Sequence, residues 1–122
     1  MASVEELIGE WTHMHFVAYL YICIGKSDYS LVNEEIEQIF EKLGASLSQE
    51  ETKKAYDDAL KVYNLQSDTD IISFIKSHTK DFSHCEAEKK KILSDLEDIM
   101  EADGIIKDVE MIMYRFIKKT LS

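Results

Sequence analysis

Phe16-Val17-Ala18-Tyr19-Leu20-Tyr21-Ile22-Cys23-Ile24 is a run of nine residues that is apolar on every side. A surface helix keeps a polar face toward water, so a helical segment without one belongs inside a bundle. A membrane span needs about 20 such residues, and this run is too short for direct membrane insertion. It predicts the central helix of the fold.

Upstream, Ser3-Val4-Glu5-Glu6 forms a capping box, and Val4, Leu7, Ile8, Trp11 and Met14 recur at helical spacing into the run. The first helical segment is expected to reach Gly25, with room for a break. Glu5-Glu6-Leu7 lacks the basic start of a signal peptide. Downstream, Ile36, Ile39, Phe40 and Leu43 mark a helix ending at Gly44, expected as its C′ residue. Ser48-Gln49-Glu50-Glu51 opens a third helix with Ala55, Tyr56, Ala59, Leu60 and Tyr63 on one face. Ile71, Ile72, Phe74 and Ile75 predict a fourth from about Asp68 to Thr79, and Ser83-His84-Cys85-Glu86 reads as the capping box of a fifth, directed to Gly104. The sixth runs from about Asp108 to the C-terminus. Val109, Ile112, Met113, Phe116 and Ile117 form its expected core face, with Met111 and Tyr114 on the sides.

The chain has 122 residues, no proline and four glycines, which disfavours the turn chemistry of β folds and suits one domain with one core. The fold class is therefore all-α: a single-domain bundle of six to seven helices over residues 1–122. Fourteen Lys and Arg against 24 Asp and Glu leave a formal charge of −10, which repels phosphate backbones and excludes nucleic acid as the expected partner. A protein partner or a hard cation suits that surplus. Cys23 and Cys85 are too few for a disulfide framework and lack zinc-type spacing; both fit a reducing, cytoplasmic setting.

One acidic pattern occurs twice, 75 residues apart. Asp28 to Glu35 and Asp103 to Glu110 each read helix, Asp, six residues, Glu, helix, with Leu31 and Ile106 as the expected buried plug of each loop. The economical reading is a degenerate internal helix-loop-helix duplication. Asp28 with Glu35, and Asp103 with Glu110, can converge as oxygen ligands for a divalent cation such as Ca²⁺ or Mg²⁺. The competing reading is capping, in which each glutamate reaches back to an exposed backbone N–H without any metal. The spacing does not match an EF-hand, since ligands at its third and fifth positions and its glycine are missing.

Ala102-Asp103-Gly104-Ile105-Ile106-Lys107-Asp108-Val109-Glu110 resembles the A-D-G-x-I-x-x-x-E pattern of the TerB-like family, the helical domain of bacterial tellurite-resistance proteins. The resemblance spans about Phe16 to Leu121. It implies a bundle of about seven helices with pseudo-twofold halves, a link to chemical stress, and metal binding through the acidic loops. This chain departs from the family where Val32 and Lys107 replace the usual Ser or Thr cap, so that either Asn33 and Asp108 take over the cap or the helix starts later. Tyr29 also replaces the first loop's glycine, making the C-terminal loop the better cation site.

Other constellations are weaker. Glu10 and His13 have the Glu-x-x-His spacing of a di-metal bundle but lack a second copy, and His13 and His15 fall on different helix faces. His78, His84 and Cys85 flank a loop and could meet a metal, while Tyr56, Tyr63 and Tyr114 read as core-edge residues with hydroxyls in water. The functional expectation is a non-enzymatic module acting through protein partners, with a divalent cation in its acidic loops. The alternative is a small metal-dependent enzyme using those loops and the histidines.

Overall fold

The computed structural model describes residues 3–26, 32–82, 85–102, 104 and 106–121, with Asp81 and Phe82 described by their backbone alone. Seven helices occur among them: α1 (Val4–Ile8), α2 (His13–Gly25), α3 (Asn33–Gly44), α4 (Gln49–Asn64), α5 (Asp68–Phe82), α6 (Glu86–Glu101) and α7 (Asp108–Leu121). No strand occurs among the described residues, and no described helix is long and apolar enough to cross a membrane. The chain is an all-α bundle.

Every residue of α2 from Phe16 to Gly25 is buried, and α2 packs against α3, α4, α6 and α7. Leu20, Ile22 and Ile24 are wholly enclosed, each worth about 1.5–3 kcal/mol of transfer free energy. The break admitted upstream lies between Ile8 and His13. It turns Trp11 into the core, where its ring meets Tyr19 and Phe74, each at 5.9 Å. Thr12 then restarts the helix, donating its backbone N–H to His15 Nδ1 at 3.2 Å.

Several helix ends differ from the sequence reading. Gly44 is the last residue of α3, and the C-cap Ala45 stays right-handed, so no C′ glycine is used there. Gly104 does adopt a positive φ of 81°, a conformation other residues rarely tolerate. The N-cap of α6 is Cys85, with no side-chain bond; Ser83 therefore does not hold the capping position, and it lies outside the described residues. α5 runs to Phe82, three residues past the expected end.

The largest departure concerns α7. Its buried residues are Glu110, Tyr114, Ile117 and Leu121, whereas Val109 is 43% and Ile112 65% exposed. Of the expected core face, only Ile117 is fully buried. The stripe that faces the core instead carries two polar groups, each with a partner. Glu110 accepts a hydrogen bond from the N–H of Lys107, and the Tyr114 hydroxyl donates to Glu97 Oε1 at 2.9 Å.

Candidate functional site

The two acidic loops can be followed from their glutamates. α3 and α7 begin 75 residues apart, and each carries a glutamate in its first turn that turns inward. Glu35 Oε1 accepts from the N–H of Val32 at 3.2 Å, and Glu110 Oε1 accepts from the N–H of Lys107 at 2.9 Å. Both helices are thus closed by the glutamate, whereas Asn33 and Asp108 are the first helical residues and do not take over as N-caps. Asp28 and Asp103 lie outside the described residues, as does Leu31. Ile106 is 44% exposed, so it does not plug its loop. Among the described residues no three His, Cys, Asp or Glu side chains are grouped to hold a metal ion.

The two glutamates differ from an ordinary cap in their burial. In the Ser48–Glu51 box of α4, Glu51 accepts from the N–H of Ser48 at 3.1 Å while remaining exposed. Those hydrogen bonds hold its carboxyl below the usual value. Glu35 and Glu110 perform the same task at 2% exposure. Burying a carboxylate is costly unless its oxygens are satisfied, and the cap bonds supply part of that.

The histidines diverge as their spacing predicts. His13 Nε2 lies 3.6 Å from Glu88, and His15 Nε2 lies 3.0 Å from Asp58. Because His15 Nδ1 accepts the Thr12 N–H, the ring proton sits on Nε2 and is donated to Asp58. Burial pushes the Asp58 carboxyl up, but hydrogen bonds from His15 and Lys54 outweigh it and hold the group below its ordinary value. Glu10 is exposed and makes no di-metal set with His13; His84 lies outside the described residues.

Sequence reading missed a buried polar pair. The Tyr21 hydroxyl donates to Asp95 Oδ2 at 2.6 Å, and Lys91 Nζ reaches the same oxygen at 2.8 Å. Burial, then the bond to Asp95, pushes the Tyr21 hydroxyl far above its ordinary range. The pair joins α2 to α6, as Lys42 and Asp98 join α3 to α6 at 2.7 Å. Tyr63 and Tyr114, expected to hold their hydroxyls in water, donate to the Lys26 carbonyl and to Glu97. The i to i+4 spacing of Lys91 and Asp95 was the available signal, though nothing local named Tyr21 as their partner.

Rotation of α7 leaves a feature that the sequence reading did not anticipate. A groove of about 240 Å³ opens where Val109, Ile112 and Phe116 of α7 face Ile72 of α5, with Tyr63 and Asp68 at its walls. Among the described residues Asp68 is the one charged residue lining it. Lone exposed apolar side chains are common, but here Val109 and Ile112 stand exposed together beside a groove. No family model, curated protein or solved structure matches the chain.

Proposed function

We propose that the protein is a non-enzymatic, TerB-like interaction module of the cytoplasm, associated with chemical stress and acting by docking a protein partner on the α5–α7 face. The observation that carries this reading is the exposure of Ile112, at 65%, beside Val109 and Phe116 on an otherwise acidic chain. An isoleucine in water forgoes about 1.5–3 kcal/mol that burial against a partner would return. The test is a photo-cross-linking residue placed at position 112, and separately at Glu37, the equivalent exposed position on α3. A discrete adduct from 112 and none from 37 is expected in cell extract. No adduct from 112, or equal adducts from both, contradicts the proposal.

A second reading is favoured by the burial of Glu35 and Glu110: a divalent cation, Ca²⁺ or Mg²⁺, held by Asp103 with Glu110 and less well by Asp28 with Glu35. A bound cation would raise the melting temperature by mass action. Wild type should then gain a metal-dependent shift that Asp103→Asn largely removes and Asp28→Asn little affects. Absence of a shift in wild type leaves the glutamates as caps.

A further inference from the structure

Three of the four large apolar side chains that stand exposed among the described residues, Ile106, Val109 and Ile112, fall within seven residues around the start of α7. At about 100° per residue, Ile112 centres the outward face of that helix, with Val109 to one side and Asp108 and Arg115 to the other. Both charged residues are exposed, and neither forms an ion pair with a described residue. Arg115 is the only arginine in the chain. Its planar, weakly hydrated guanidinium is a group enriched at protein interfaces, where lysine is depleted.

Charge along this face is segregated. Asp108 stands in the first turn of α7, whereas the exposed Arg115, Lys118 and Lys119 hold its second half. A helix divided in this way complements itself when reversed, acidic start against basic end and dipole against dipole. Reversal about a twofold axis at Ile112 carries Asp108, four residues before it, and Arg115, three after it, to the same side at heights that differ by about 1.5 Å. The two copies of Ile112 then meet at the axis, beside Val109. The formal charge of −10 opposes association at long range, but at physiological salt that repulsion decays over about 8 Å, and the charges on the face govern contact.

Resting on the docking face proposed above, we infer that its partner is a second copy of this chain, α7 against α7 in antiparallel sense about Ile112, with Asp108 of each copy facing Arg115 of the other. Apolar contact at the axis supplies the affinity, and the two flanking ion pairs set direction and register.

Sedimentation equilibrium of the full chain, from about 5 to 500 μM at about 0.15 M salt, should show the mean mass of wild type rising toward twice that of one chain. Ile112→Glu should raise the dimer dissociation constant about tenfold or more. Asp108→Arg alone, and Arg115→Asp alone, set like charges opposite each other twice per dimer, and each should raise it about tenfold. The double variant Asp108→Arg with Arg115→Asp restores both pairs in the opposite sense and should return to within about threefold of wild type. The cost of each substitution to α7 itself persists in the double variant, so its recovery reports the contact between copies and not folding. A wild type that stays monomeric throughout, a dimer indifferent to Ile112→Glu, or a double variant no tighter than the single ones overturns the inference. A cross-link from position 112 to a different protein, with wild type monomeric, would refute the second copy while sparing the docking reading; absence of any cross-link together with a monomeric wild type would refute both.

Discussion

Glu35 and Glu110 do the same thing at the starts of two helices 75 residues apart: each turns a 2% exposed carboxylate back onto the backbone N–H three residues before it. Replacement of Glu110 by alanine removes that acceptor and leaves the N–H of Lys107 without it. A loss of about 1–2 kcal/mol in urea unfolding is expected, with Glu110→Gln recovering most of it because the amide oxygen still accepts. Glu51→Ala should cost less, since the exposed N–H of Ser48 can turn to water. Equal stability of Glu110→Ala and wild type would show that the cap is dispensable.

Tyr21→Phe deletes the donor to Asp95 while keeping the ring. Asp95 retains Lys91 but loses its 2.6 Å bond, and about 1–3 kcal/mol of stability should go with it. Chemical denaturation of Tyr21→Phe, Asp95→Asn and the double variant measures the coupling. Strictly additive losses would mean that the two groups act separately.

Alkaline pH should unfold the chain early. Tyr19, Tyr21 and Cys23 are buried neutral, and burial is the first cause raising all three above their ordinary values of 10.0, 10.0 and 9.0. Above those ordinary values the unfolded chain releases protons that the folded chain retains, so stability is full below about pH 9 and falls as pH rises further. Absorbance titration should find two of the six tyrosines silent until the fold is lost. Ionisation of all six with helicity intact would contradict this.

The two thiols should react in sequence. Cys85 is exposed and Cys23 is fully buried at the bundle centre, so a disulfide-exchange reagent should modify one thiol in the native protein and two in urea. Rapid native modification of both would place α2 nearer the surface.

The bundle was legible because its decisive segment, Phe16 to Ile24, admits no surface position, and because Ser3 and Ser48 cap where the sequence places them. The rotation of α7 was not. Periodicity weighs apolar residues alone and chose Val109, Ile112, Met113, Phe116 and Ile117, whereas Glu110 and Tyr114, each with a hydrogen-bond partner, are buried. The partner of Tyr114, Glu97 of α6, lies on another helix, and a single helix's pattern does not contain it. The candidate groove was hidden for the same reason, since its α7 residues are ones that periodicity assigns to the core. The glutamates of the acidic loops were legible by position, though their burial was not.

The division of α7 into a stripe that folds the chain and one that faces outward is tested most directly by the unfolding free energy of Ile112→Glu. At 65% exposure the substitution should leave stability within about 0.5 kcal/mol of wild type, as for an ordinary surface position. A loss of about 2 kcal/mol or more would mean that Ile112 belongs to the folding core, and the outward apolar stripe would not exist.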